Sequence, residues 1–180
     1  MNQTESSNVL EAFIVSAYEA HHAELFAFLA RSTCDRSLAE ELLRETYLGL
    51  AKEAHERLEL AQVRRQIYLI ASKLAVARSR PQTSAIRWPG RRTRTEHGRN
   101  IAPGSPEGPG LPMERTTDIE RALDGLSVDG RVALLLSAEG FTGEEIADAI
   151  VRPVSATRTL LCLARARVRI RRELFAAEGR

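Results

Sequence analysis

Two observations in the sequence predict an all-α protein of two small helical domains joined by a linker rich in proline, glycine and arginine. Apolar residues recur at three- and four-residue spacings in both halves of the chain, which is typical of amphipathic helices. Six of the seven prolines and five of the eleven glycines lie between residues 81 and 112, which indicates a linker. The domains are predicted over residues 9–80 and 117–175, with the linker over 81–116.

The first predicted domain contains three helices. Apolar residues of the third helix that share one stripe at helical spacing are expected to face the core. They are Ile67, Ile70, Leu74 and Ala77. Pro81 ends this helix, since proline lacks a backbone N–H and clashes with the preceding turn. The predicted bounds are 9–31, with an interruption near His21–His22, then Asp35 or Ser37 to about Glu59, and about 62–79.

The second predicted domain ends in a helix-turn-helix. Thr142 followed three residues later by Glu145 is a capping box, which satisfies free N–H groups at a helix start. Val151–Pro153 breaks that helix, and Ser155 is expected to be the N-cap of the next one. A short capped helix, a tight break and a longer capped helix are typical of this motif. Two further helices are predicted before it, over Thr117–Leu126 and Val128–Glu139.

The last predicted helix carries arginines on one side and small or apolar residues on the other. A helix that reads DNA needs long hydrogen-bond donors on one face while the other face packs. The alternative is an ordinary surface helix with solvated arginines, and the capped helix before it favours DNA binding. The arginine stripe is Arg158, Cys162, Arg165, Arg169 and Arg172, and the opposing stripe is Thr157, Leu161, Ala164 and Val168.

Charge alternates along the chain although the net charge is only +2. Residues 61–100 carry ten basic residues and one acidic residue, whereas 101–150 carry three and ten. Residues 1–60 are acidic and 151–180 are basic. The pattern predicts two modules that each turn a basic surface toward a polyanion, and solubility patterning is the alternative.

Several functional classes are not indicated. The two cysteines, Cys34 and Cys162, lie far apart without metal-ligand spacing, so free thiols in a reducing cytoplasm are expected rather than disulfides or zinc. The sequence has no basic and apolar leader and no apolar run long enough to span a membrane. No glycine-rich phosphate loop and no histidine cluster indicates catalysis. We therefore expect neither an enzyme nor a cofactor nor membrane insertion.

Three segments in this order resemble a bacterial sigma factor of the extracytoplasmic-function type. They are AEELLRETYL within Tyr18–Leu50, IYLIASKLAVARSR at Ile67–Arg80, and LDGLSVDGRVALLLSAEGFTGEEIADAI followed by the arginine helix. The resemblance covers about 18–80 and 117–175. It implies a non-catalytic specificity subunit of RNA polymerase with a domain for the polymerase clamp and the minus-ten element, and a domain for the minus-thirty-five element.

The resemblance also implies roles for particular residues. The charged outer face of the second helix would bind the polymerase clamp, a set made of Glu40, Glu41, Arg44 and Glu45. Residues of the third helix would face the minus-ten element, a set made of Tyr68, Lys73, Arg78 and Arg80. Residues around the last helix would enter the major groove at the minus-thirty-five element, a set made of Arg152, Ser155, Arg158, Thr159 and Arg165.

Some positions depart from the family pattern. Val151 stands where the family usually has a turn glycine, and Gln66, Ala77 and Leu160 stand where it often has DNA-facing residues. Such departures keep two alternatives open: a degenerate sigma-like protein that binds an anti-sigma factor, and a stand-alone helix-turn-helix regulator. The leading expectation is an alternative sigma factor in the bacterial cytoplasm, at the nucleoid when in holoenzyme. Its expected partners are core RNA polymerase, promoter DNA and an anti-sigma factor.

Overall fold

The computed structural model describes residues 3–53, 60–80 and 119–178, and every regular element within them is an α-helix. This confirms the all-α fold class. Among the described residues, no helix combines the length and apolar character needed to cross a membrane. The helices are α1 (Gln3–Thr33), α2 (Arg36–Glu53), α3 (Leu60–Ser79), α4 (119–123), α5 (Val128–Ala138), α6 (Gly143–Ala149) and α7 (Val154–Glu178).

Helix α1 is continuous, so the interruption predicted near His21–His22 is wrong. Between Gln3 and Thr33 the sequence contains no proline or glycine, the residues that most often break a helix. The ring of His22 stacks on that of Tyr18 one turn earlier, with centroids 4.8 Å apart, and its Nδ1 lies 3.0 Å from the Tyr18 carbonyl oxygen. Both contacts follow the helical i, i+4 spacing.

Helix α2 begins where the sequence predicts. The Asp35 side chain accepts a hydrogen bond from the Leu38 N–H at 3.0 Å, the interaction of an N-cap. Helix α2 is described as far as Glu53, and the remainder of the predicted helix, to about Glu59, lies outside the described residues. In α3, Ile67 is fully buried, but Ala77 is exposed, which contradicts its predicted inward orientation. The core side of α3 instead includes Tyr68 and Val76.

In the helix-turn-helix, the structure confirms the predicted N-terminal cap of α6 and corrects the predicted N-cap of α7. Thr142 and Glu145 form the predicted capping box at the start of α6. Helix α7 begins at Val154, because the Pro153 carbonyl accepts the first helical hydrogen bond, from the Thr157 N–H at 3.0 Å. Ser155 therefore lies inside the first turn and is not the N-cap.

The two helices that precede the helix-turn-helix are shorter than predicted. Within the described residues, the predicted helix Thr117–Leu126 is helical over 119–123 and then turns at Gly125, whose φ of +80° suits glycine. Helix α5 is capped by Ser127, whose side chain accepts from the Gly130 N–H at 3.2 Å, and it ends at Ala138 rather than at Glu139.

The two halves of the chain pack against each other through one hydrophobic core. Phe28 of α1, Tyr68 of α3 and Leu136 of α5 belong to the same cluster. Phe141, between α5 and α6, joins it, with its ring centroid 6.1 Å from that of Tyr68. The proposed division into residues 9–80 and 117–175 stays a prediction, and the whole of the predicted linker, 81–116, lies outside the described residues.

Candidate nucleic-acid interface

The buried side of α7 holds it against the rest of the helix-turn-helix. Thr157, Leu161 and Ala164 are buried, and Val168 is half-buried, as the opposing stripe predicts. Ile146 of α6 is buried as well, so the apolar sides of both helices pack in the hydrophobic core. Packing fixes α7 along this side and leaves its other side facing solvent.

An open groove follows the exposed arginine side of α7. Arg158, Arg165 and Arg169 contribute the charges of the groove, and Leu161, Cys162 and Ala166 contribute its floor. Arg165 donates to the Ser137 hydroxyl at 2.7 Å. Arg158 and Arg169 form no hydrogen bond or ion pair with any other described residue, so their guanidinium donors are available to an anion or a base edge.

One member of the minus-thirty-five set, Arg152, pairs with a mostly buried carboxylate, unlike the other members. Ser155, Arg158 and Thr159 are exposed at the start of α7, and the Thr159 hydroxyl donates to the Ser155 carbonyl at 3.2 Å. Arg152, by contrast, donates through Nε and Nη2 to Asp129 Oδ2 at 2.8 and 2.6 Å. The Asp129 side chain is only 10% exposed. Arg152 thus balances a mostly buried carboxylate in this structure.

The minus-ten set is occupied by contacts within the chain. Lys73 Nζ lies 2.8 Å from Asp148 Oδ2 of α6, and Arg80 Nη2 donates to the Ile150 carbonyl at 2.8 Å. Tyr68 is 1% exposed, and burial raises the pKa of its phenol to about 12. In this conformation Tyr68 offers no ring face for a nucleic-acid base to stack on.

Arg78 joins the minus-ten set to the predicted clamp-binding set. Its Nη2 donates to Glu41 Oε1 at 2.9 Å and to Glu45 Oε1 at 2.7 Å. Glu40 lies near Arg36, at 3.7 Å, and Arg44 is exposed. The structure therefore brings α2 and the end of α3 together where the sequence predicted two separate sites.

The outer face of α2 that is predicted to bind the clamp also contains an apolar residue that the sequence analysis did not single out. Leu48 is 63% exposed and lies three and four residues after Glu45 and Arg44 on the outer side of α2. It borders a shallow groove between α2 and α3 whose apolar floor includes Ile70 and Leu74. Its spacing from Arg44 and Glu45 could have identified Leu48 as part of this face, since side chains at i+3 and i+4 share a helix face.

A second missed feature is a row of ion pairs between α3 and the start of the helix-turn-helix. Arg64 Nη2 lies 2.6 Å from Glu139 Oε2, and Arg65 donates two hydrogen bonds to the Glu145 carboxylate. The Arg65 guanidinium also lies over the Phe141 ring, 4.7 Å from its centroid. The opposite charges of 61–100 and 101–150 were the only sequence signal for these pairs.

Metal chemistry has no candidate among the residues that the structure describes, since they contain no cluster of three His, Cys, Asp or Glu side chains able to hold an ion. Cys34 and Cys162 are both free thiols and both exposed. No protein-family model matches the chain, and no curated protein matches it either. The geometry itself is that of a capped helix-turn-helix with a cationic groove along its second helix.

Proposed function

We propose that the chain is a sigma factor of the extracytoplasmic-function type, which binds core RNA polymerase and directs promoter-specific transcription initiation in the bacterial cytoplasm. The observation that carries the proposal is the exposed groove of α7, with Arg158 and Arg169 unpaired among the described residues, on a helix fixed by the capped α6. A helix that is packed on one side and cationic on the other fits the major groove.

The DNA-reading role belongs to the first turns of α7. Ser155, Arg158 and Thr159 are exposed there, and the N-terminal residues of a recognition helix are those that contact base edges. Arginine pairs well with guanine O6 and N7, and it also binds phosphate. Arg158 is the residue we assign to a base edge, since no described residue competes for its donors.

A matched pair of arginine variants tests this role. Arg158→Ala should weaken binding to promoter DNA by roughly 1–3 kcal/mol and relax specificity at one base position. Arg167→Ala is the control, because it removes the same charge from an exposed position nine residues further along α7, on the opposite side of the helix from Arg158. Binding is measured by fluorescence anisotropy on a promoter duplex and a scrambled duplex. Equal losses for both variants would contradict a base contact by Arg158.

The polymerase-binding role belongs to the outer face of α2. An exposed leucine on the same helix face as Glu41, Arg44 and Glu45 resembles the apolar anchor of a protein interface, which polar groups border. Leu48→Ser should therefore weaken binding to core polymerase tenfold or more, which corresponds to about 1.4 kcal/mol. Stability should change little, because the side chain is already exposed.

The control for that experiment is Val15→Ser, which removes an apolar side chain that is 50% exposed on α1 rather than on α2. Affinities for core polymerase are compared by titration of labelled chain. Unchanged affinity for Leu48→Ser, or an equal loss for Val15→Ser, would contradict the assignment of the clamp contact to α2.

One observation favours a second candidate function, a stand-alone helix-turn-helix regulator. Arg158 and Arg169 of α7 form no ion pair with another described residue, whereas Lys73, Arg78 and Arg80 of the minus-ten set are all paired within the chain. A regulator needs only the α7 groove and no polymerase-binding face. Binding to core polymerase therefore distinguishes the two functions.

A further inference from the structure

We propose that two copies of this chain form a dimer in which the outer side of α1 in one copy packs against the outer side of α7 in the other. Each contact joins two rows of exposed residues that have matching spacing and opposite charge. The first row, which we call the α7 seam, is Leu163, Arg167, Ile170 and Leu174. The second row, which we call the α1 seam, is Glu11, Val15, Tyr18 and His22.

The α7 seam lies on a side of its helix that serves neither the core nor the arginine groove. Leu161 of the core side and Arg165 of the groove are each two residues from Leu163, which turns both about 160° away from it around the helix. The apolar members of the seam, Leu163, Ile170 and Leu174, are between 55% and 57% exposed. Three large apolar side chains in one exposed row indicate a surface for another protein.

The α1 seam is exposed as well and carries aromatic and acidic side chains. Val15 is 50% and Tyr18 is 44% exposed, and the ring of His22 stacks on that of Tyr18. Glu11 and Glu19, the residue that follows Tyr18, are exposed and form no hydrogen bond or ion pair with another described residue. Their carboxylates are therefore available to a cation from another molecule.

The two seams match in spacing. In each, the residues follow one another at intervals of four, three and four, the spacing of the a and d positions of a coiled coil. Antiparallel packing therefore sets Val15 against Ile170 and Tyr18 against Arg167. The Arg167 guanidinium then lies over an aromatic ring, a favourable cation–π contact, with the Glu19 carboxylate beside it. At the ends of the contact, Glu11 meets Leu174 and His22 meets Leu163.

Charge selects α1 as the partner of α7. Helix α1 contains four glutamates and one arginine, whereas α7 contains six arginines and two glutamates. Two α7 helices therefore repel each other, and α1 attracts α7. Both seams are exposed within a single chain, so neither covers the other there. Their pairing requires a second copy.

Reciprocal pairing closes the assembly at two chains. Each copy has both seams, so a two-fold dimer forms the same contact twice. A stable interface buries about 1,000 Å² or more, and one contact of about three helical turns is short for that. Two such contacts suit a reversible dimer. Arg158 and Arg169 lie on another side of α7 and take no part in it.

The first test measures the mass of the full chain by sedimentation equilibrium across a range of concentrations. We expect a reversible equilibrium between one and two chains. Arg167→Glu and Glu19→Arg should each raise the dissociation constant roughly tenfold or more, because like charges then face each other. The two changes combined should restore the dimer, and this double variant has the net charge of the wild type. Lys52→Glu, at an exposed position of α2, changes the net charge as Arg167→Glu does and should leave the dimer intact.

The second test checks the register by disulfide cross-linking, with Cys34 and Cys162 replaced by serine. Chains with Val15→Cys are mixed with mass-tagged chains with Ile170→Cys under mild oxidation. A disulfide needs Cα atoms within about 7 Å, so the register predicts a cross-link between the two kinds of chain. Leu163→Cys is the control, because residue 163 lies about 10 Å further along the helix than residue 170, and it should not cross-link to Val15→Cys.

A chain that stays single at every concentration overturns the proposal. So does a dimer that Arg167→Glu leaves unchanged, or one that the double variant fails to restore, since Glu19 and Arg167 then do not meet. Assemblies larger than two chains contradict the closed dimer, and a cross-link to Leu163→Cys in place of Ile170→Cys contradicts the register. Neither test contains DNA or polymerase, so these outcomes are independent of the proposed function.

Discussion

At the scale of single residues, Val151 is held in a backbone conformation that valine disfavours. Its φ is +52°, and its side chain is 64% exposed, so packing does little to offset the strain. The turn between α6 and α7 requires this left-handed conformation, which glycine adopts without a steric penalty. The family that the sequence resembles usually has glycine here, and the observed φ gives the physical reason.

Replacement of this residue should stabilise the protein. Val151→Gly is expected to raise the free energy of unfolding by roughly 0.5–1 kcal/mol, because relief of the left-handed strain exceeds the extra chain entropy of glycine. Urea unfolding followed by circular dichroism measures the change. Val151→Ala keeps a Cβ and should give a smaller gain. A Gly variant less stable than wild type would contradict the strain at this turn.

Arg152 shows how a residue predicted to contact DNA can have a structural role. Arg152→Ala should lower the free energy of unfolding by roughly 1–3 kcal/mol, because it leaves the mostly buried Asp129 carboxylate without its partner. Arg158→Ala, which removes an arginine with no described partner, should leave stability unchanged. Chemical denaturation of both variants checks this. Equal stabilities for the two would mean that the Arg152–Asp129 pair contributes nothing measurable.

At the scale of elements, α6 depends on its cap. The helix has seven residues, too few to be stable without capping and packing. Thr142→Ala should lower the free energy of unfolding by about 1 kcal/mol, and Thr142→Ser should restore most of it. Thermal and urea unfolding measure both variants. If Ser fails to restore what Ala removes, the hydroxyl is not acting as the cap.

The capping box of α6 also predicts how the stability of the fold depends on pH. Hydrogen bonds from Arg65, and then from Thr142, lower the pKa of Glu145 from 4.5 to about 2. Since the folded-state pKa lies below the unfolded value, the carboxylate stabilises the fold above about pH 4.5, and this contribution is lost as pH falls toward 2. Glu145→Gln should flatten the stability profile between pH 4.5 and 2, whereas Glu144→Gln should not. Parallel profiles for Glu145→Gln and wild type would contradict the assignment.

Local signals predicted elements better than they predicted contacts. The start of α2 at Asp35 and the capping box of α6 follow from residues three positions apart, and both are present in the structure. The predicted N-cap of α7 is two residues late, because Ser155 is a better N-cap by residue type than Pro153. Residue type alone does not reveal which carbonyl accepts the first helical hydrogen bond.

At the scale of the whole molecule, the packing of the two halves had almost no sequence signal. Arg64 and Glu139 are 75 positions apart, and Arg65 and Glu145 are 80 apart. No periodicity relates such residues, and only the opposite charge of their segments pointed to an attraction. The segmental charges predict surfaces for polyanions, whereas the structure pairs part of that charge within the chain. The sequence therefore predicts which charged residues belong to the candidate sites. It does not predict which residues within the chain they pair with.

Reconstitution with sigma-free core RNA polymerase distinguishes a sigma factor from a stand-alone regulator. The purified full chain is titrated against labelled core, and the complex is then supplied with a library of genomic fragments for transcription. We predict a stable complex that produces transcripts from discrete start sites, with both signals reduced for Leu48→Ser. Absence of binding to core polymerase under conditions in which the chain still binds DNA would contradict the account and favour a stand-alone regulator.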